Sequence, residues 1–166
     1  MSAVSRHAVS VTGRPEAPPM LFVHGFGCDQ HMWRHVAPAF EENRRVVLMD
    51  LMGAGASDLS AYDEQRYGTL EGYADDITQV VRDLDLRDVV LVGHSVAAML
   101  VAMTAVAEPG RVAGLVMVAP SPRYADAPGY TVLHLMPKVR KPGVGDNNPA
   151  PDVSGRMTSL EFVRMM

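Results

Sequence analysis

Apolar positions along the chain fall into two alternating rhythms. Residues 7–13 (HAVSVTG) follow the two-residue period of a strand, and residues 20–23 (MLFV) form a continuous apolar run that ends in the glycine-rich HGFG of 24–27. Residues 29–40 (DQHMWRHVAPAF) predict a helix opened by Asp29 and limited by Pro38. Another buried strand is expected over 44–50 (RRVVLMD). Leu70, Tyr73, Ala74, Ile77, Val80, Val81 and Leu84 keep helical spacing behind Thr69, a residue type suited to an N-cap. Residues 88–94 (DVVLVGH) then read as a strand, 96–107 as a nearly all-apolar helix and 114–119 (GLVMVA) as a strand. Strands apolar on both faces, alternating with helices, predict an α/β fold with a parallel sheet covered by helices.

The rhythm lapses near the C-terminus. From Thr131 the chain is rich in Pro, Gly, Asn and Asp and offers only the strand-like TVLHLM (131–136) and a weak helix after Ser159. Residues 138–156 are expected to be mobile. Residues 1–130 therefore read as the folded part and 131–166 as a divergent, partly disordered tail. With 166 residues, 48% hydrophobic and 20% charged, the chain has material for one globular domain. A net charge of −4, carried by interspersed charges, argues against a nucleic-acid or anionic-membrane surface. The single cysteine, Cys28, excludes an intrachain disulfide, and MSAVSRHAVS lacks the apolar core of a signal peptide. No apolar run approaches the ~20 residues of a membrane-spanning helix. The expectation is a cytoplasmic protein with no membrane or nucleic-acid partner.

Candidate chemistry centres on LVGHSVAAML at 91–100. Gly93, Ser95 and Ala97 form GxSxA, a variant of the nucleophile elbow GxSxG, in which a serine sits on a sharp strand-to-helix turn with its hydroxyl exposed. The flanking positions must be small because side chains there would strike neighbouring backbone. The bland alternative is a small-residue turn that lets a helix pack closely on its strand. An apolar strand before Ser95 and a helix directly after it favour the nucleophile. HGFG, following MLFV, reads as an oxyanion loop whose Phe26 amide would pair with that of Val96, each such donor being worth ~3 kcal/mol of barrier.

HGFGCDQHMW, DLMGAGASD, YDEQRYGTLEGYADD, VGHSVAAM and SPRY, in that order, resemble the α/β-hydrolase superfamily. More narrowly, they resemble the branch holding the bacterial stress-regulatory hydrolase RsbQ and the plant karrikin and strigolactone receptors. The resemblance spans about residues 5–130. It implies Ser95 as nucleophile, an oxyanion hole from Phe26 and Val96, and a pocket wall that includes Phe26 and Tyr124. It implies a small hydrophobic ester or lactone as substrate and a regulatory protein partner in stress or ligand signalling, with no cofactor.

Beyond SPRYADAPGY the family continues into a helical cap and further βα units bearing the catalytic aspartate and, last, histidine. This chain is expected to be truncated before them. Asp126 and His134 alone follow Ser95 in the order the triad requires, and their spacing of eight positions is too short for the intervening elements. Asp146 and Asp152 have no histidine after them. Loss of the base predicts a chain nearly inert towards activated esters.

The other polar residues are expected to be structural. His94 should point away from Ser95 by alternation along its strand. His24 should brace the oxyanion loop by hydrogen bonding. His31 and His35, one helical turn apart, suit a solvated helix face better than a metal, since no carboxylate or third ligand has an evident place nearby. Cys28 should be a small buried thiol. Asp50 and Asp58 flank LMGAGAS, which lacks the Lys-Ser/Thr of a phosphate loop and the third glycine of a dinucleotide fingerprint, and so reads as a turn. Three functions stay open: a serine hydrolase, a receptor-like binding module, and a non-catalytic fragment that needs a partner. The last strand is apolar on both faces and, unpaired at one edge, predicts poor solubility or sheet-completing oligomers.

Overall fold

The computed structural model describes residues 2–121. Tyr124, Asp126, the TVLHLM segment, His134, Asp146, Asp152 and everything else expected of the tail lie outside the described residues. Five strands form one sheet in the order β1-β3-β2-β4-β5, comprising β1 (Ser10–Gly13), β2 (Pro19–Val23), β3 (Arg45–Met49), β4 (Val89–His94) and β5 (Val112–Val118). β3, β2, β4 and β5 run parallel, while β1 pairs antiparallel with β3 at one edge. β1 is shorter than the alternation of 7–13 predicts, because residues 3–6 wind into a helical turn, α1 (Ala3–Arg6), and His7 is drawn into the interior.

The period-2 pattern of the central strands divides the core between two faces. Leu21, Val23, Val47, Met49 and Leu91 face α3 (Leu70–Asp83) and α4 (Val96–Ala107), meeting Ile77, Val80, Leu100 and Val101. Met20, Phe22, Val46 and Val92 face the other way, onto Trp33 and Ala37. Each such side chain, fully buried, contributes about 1.5–3 kcal/mol. The expected helix over 29–40 is instead two 3-10 turns, Gln30–Trp33 and Ala37–Phe40. Pro38 lies in the second and has no N–H to continue a helix. The first is fixed by Asp29, whose carboxylate accepts the His31 N–H at 2.8 Å, and by Asp50, which accepts the Gln30 N–H at 2.8 Å. Trp33 still reaches Phe22, ring centroids 5.3 Å apart, so the segment covers the sheet without being α-helical.

α3 begins where expected, but Thr69 makes no side-chain capping bond. A further turn, α2 (Glu64–Tyr67), precedes it, capped by the Asp63 carboxylate accepting the Arg66 N–H at 3.0 Å. Under α3 lies a polar cluster that periodicity did not reveal. Asp76 is 1% exposed and accepts hydrogen bonds from Arg66 and the Tyr67 hydroxyl, each at 2.7 Å. Arg6 Nη1 also donates, at 3.4 Å, to Oδ1, the oxygen that accepts from Arg66. His7 Nε2 lies 3.1 Å from Asp76 Oδ2. Burial pushes the Asp76 pKa up, but the His7, Tyr67 and Arg66 contacts outweigh it and hold the carboxyl below its ordinary value. Among the described residues no helix is long and apolar enough to cross a membrane.

Candidate active site

The carboxyl ends of β2, β3 and β4 gather three loops at one end of the sheet, the position where open α/β sheets place their ligands. β4 ends at His94 and α4 starts at Val96, so Ser95 alone makes the turn. Its backbone sits at φ 55°, ψ −124°, a left-handed conformation that costs a non-glycine residue roughly 1–3 kcal/mol. Two hydrogen bonds hold it there: the Ser95 N–H donates to the Val118 carbonyl, and the Ala98 N–H donates to the Ser95 carbonyl, each at 2.9 Å. Tightness around the turn accounts for its small residues. A Cβ on Gly93 would stand 2.3 Å from the Ala97 carbonyl oxygen, and Ala97 is itself fully buried.

HGFG meets this turn directly. A Cβ on Gly25 would lie 3.0 Å from the Ser95 Cβ and 2.6 Å from His94 Nδ1. The Gly25 carbonyl accepts the Cys28 N–H at 3.2 Å, closing a turn in which Gly27 takes φ 72°. Val96 is the first residue of α4, where backbone N–H groups have no intrahelical acceptor and the helix dipole favours negative charge. Phe26 is 39% exposed at the mouth of the loop. Ser95, Val96 and the loop carrying Phe26 are thus brought together; Tyr124 lies outside the described residues.

The residue that organises the surrounding loops is Asp50, read from sequence only as flanking a turn. It is 2% exposed at the end of β3, and its carboxylate accepts Gln30 N–H at 2.8 Å, Gln30 Nε2 at 3.0 Å and Ala56 N–H at 2.9 Å. Gly53 and Gly55 take φ 84° and 53°, and a Cβ on Gly55 would fall 2.2 Å from Asp50 Oδ2. The glycines of LMGAGAS therefore let its backbone fold over a carboxylate rather than a phosphate. An aspartate closing an apolar strand and followed by two spaced glycines was the available signal.

The histidines behave differently from one another. His24 is buried between Gly25 and Leu51 with both ring nitrogens engaged. Burial, the largest influence, holds its pKa below the ordinary histidine value, against the Gly25 carbonyl and the charges of Asp50 and Asp29. His94 Nδ1 is buried with no hydrogen-bond partner among the described residues. His31 does have a carboxylate beside it, contrary to expectation: its Nδ1 is 3.3 Å from Asp29, because Asp29 reaches back to cap the turn. With the His31 side chain 82% exposed, that is a surface pair, and no group of three or more His, Cys, Asp or Glu among the described residues is placed to hold a metal. Cys28 is half-buried rather than buried, since its loop lies at the rim of the sheet.

Residues 18–161 match the alpha/beta hydrolase fold family, a span that runs past Tyr130 into the tail. The chain is 39% identical over 124 residues to Karrikin insensitive 2 receptor CA of Petunia hybrida, covering 75% of this chain and 46% of that one. It is 37% identical over 111 residues to Strigolactone esterase D14 of Arabidopsis thaliana, covering 67% and 42%. A hydrolase from Oleispira antarctica superposes with a TM-score of 0.70 at 36% identity, over 78% of this chain and 47% of the other. The chain spans about half the length of the curated relatives it matches. With a mostly parallel sheet, a strained serine between β4 and α4, and a family match across most of its length, the chain belongs to the α/β-hydrolase fold family.

Proposed function

We propose that Ser95 is the nucleophile of a serine hydrolase acting on a small hydrophobic ester or lactone. The observation that carries this reading is the Ser95 backbone at φ 55°, held between β4 and α4 with Gly25 pressed against it. Nothing in packing alone requires a serine at a position where glycine would be unstrained. In the reaction, Ser95 Oγ attacks the acyl carbon and passes its proton to a base. The carbonyl π pair moves onto oxygen, facing the Phe26 and Val96 amides. Collapse expels the alkoxide, which takes the proton, and water then releases the acyl group by the same route in reverse. His24 is not that base, since both its nitrogens are committed.

The test joins residues 1–121 to the part of the Oleispira hydrolase that lies beyond the match, where the order Ser, Asp, His of the fold would put the later triad members. The chimera should hydrolyse p-nitrophenyl acetate, and Ser95→Ala should lower turnover by on the order of 10⁶. A folded chimera that is inert, or that keeps its turnover in Ser95→Ala, would overturn the assignment. The 166-residue chain, if no base reaches Ser95, should stay within about 10³–10⁴ of the uncatalysed rate.

A receptor-like reading has one observation in its favour, the 39% identity to a karrikin insensitive 2 receptor. In that reading ligand engagement and a regulatory protein partner matter more than turnover. The two diverge in the Ser95→Ala chimera, which a receptor would tolerate with ligand affinity intact.

A further inference from the structure

His24 directly follows β2 with 1% of its surface exposed, and its two ring nitrogens have partners of opposite kind. Nδ1 lies 2.8 Å from the Gly25 carbonyl, which only accepts. Nε2 lies 3.0 Å from the Leu51 amide, which only donates. A neutral imidazole with its proton on Nδ1 satisfies both at once; the other tautomer satisfies neither, and the imidazolium loses Leu51. The partners belong to different loops. Gly25 is the second residue of HGFG and is packed against Ser95, whereas Leu51 begins the segment that Asp50 folds over itself through Ala56.

We propose that His24 is a positioning residue of the oxyanion site: as the neutral Nδ1–H tautomer it staples the Gly25 carbonyl to the Leu51 amide. A proton gained on Nε2 releases the Leu51 end and loosens the loop that carries Phe26. This rests on the reading of Ser95 and Phe26 given above. The charged and titratable groups facing His24 are Asp50 and Asp29, which favour the proton, and His94, which opposes it. The new Nε2–H would face Asp50 Oδ1, 3.8 Å away and already accepting the Gln30 N–H. Protonation therefore draws on the same carboxylate that fixes the first 3-10 turn, and both loops beside Ser95 respond together.

The experiment is ¹⁵N imidazole spectroscopy and amide exchange on the 166-residue chain. At pH 7.5 His24 should show a protonated Nδ1 and a bare Nε2. As the ring titrates, the intrinsic-rate-corrected protection of the Leu51 amide should fall about tenfold with the same midpoint. In His24→Gln, whose side-chain carbonyl accepts without titrating, Leu51 protection should hold constant through that range. An Nε2–H tautomer at neutral pH, or equal Leu51 protection with the ring charged and neutral, would overturn the proposal. If His24→Gln does not fold, the wild-type titration decides alone. These readings do not depend on Ser95, so failure of the staple leaves the nucleophile standing, and failure of the Ser95→Ala comparison leaves the staple standing.

Discussion

Gly93→Ala is the substitution that probes the serine turn most directly. The added methyl would sit 2.3 Å from the Ala97 carbonyl oxygen, 2.6 Å from the Ala97 carbonyl carbon and 2.7 Å from the Ala98 nitrogen. All three are backbone atoms of the first turn of α4, so no rotamer change relieves the contact. Clearing even the shortest permissible separation moves the helix start by about 0.7 Å, in a core packed too densely to yield freely. Overpacking of this kind costs about 1–3 kcal/mol, offset by about 0.5–1 kcal/mol from replacing a strand glycine. The expected net loss is about 1–2 kcal/mol in urea unfolding followed by circular dichroism. Two controls separate the causes. Gly114→Ala, with nothing within 4 Å among the described residues and no left-handed φ, should be neutral or slightly stabilising. Gly27→Ala has the same open space but φ 72°, so it should cost about 1 kcal/mol from backbone strain alone. If Gly93→Ala unfolds within 0.5 kcal/mol of wild type, close helix–strand packing is not what keeps that position small.

Asp76→Ala leaves Arg66 and His7 facing a buried site without their carboxylate, and should lower stability by about 3–5 kcal/mol in the same urea assay; a change near zero would mean the cluster is solvated. Acid should lower the melting temperature in two stages. His24 has its folded pKa below the unfolded value of about 6.5, so the unfolded state takes up the proton first and stability declines as pH falls below 6.5. Asp76, also depressed, contributes fully above about pH 3.9 and loses its contribution as pH falls through its lower folded value. A melting temperature flat from pH 7 to 5, or a first stage that survives His24→Gln, would contradict this. On β5, Leu115, Val116, Met117 and Val118 are each exposed, so size-exclusion chromatography should show self-association that Val116→Lys reduces; a sharp monomer at every concentration would refute it.

The central architecture was legible because its elements are long and strongly patterned. VVLVG before Ser95 and twelve apolar or small residues after it admit little besides a buried strand and a buried helix. Each misreading has an identifiable cause. Residues 29–40 carry helical spacing, yet Pro38 and the reach of Asp50 to Gln30 break them into 3-10 turns, and the second cause acts from twenty residues away in sequence. α1 and α2 span four residues each, too short to show a period. Asp76 is three residues beyond Tyr73 and four before Val80, inside the apolar stripe of α3; a charge in that position announces a buried partner set, but which partners depends on α1 folding back, which no local pattern encodes. The candidate site was legible only as two motifs, HGFG and GHSVA, that the fold brings side by side, and illegible in its supports, because Asp50, Leu51 and His24 meet only through the order of the strands.

The hydrogen bond from Ser95 to Val118 ties the strained turn to the last residue of the outermost described strand. Detachment of β5 removes one of the two hydrogen bonds that hold the left-handed serine, so fraying of that strand and loosening of the turn are coupled. Whatever secures β5 therefore also favours the strained conformer, and whatever peels it away loosens the turn without touching it. The geometry of the turn at the centre of the sheet is thus coupled to its margin, and amide exchange at Ser95 would report the fraying of a strand to which Ser95 does not belong.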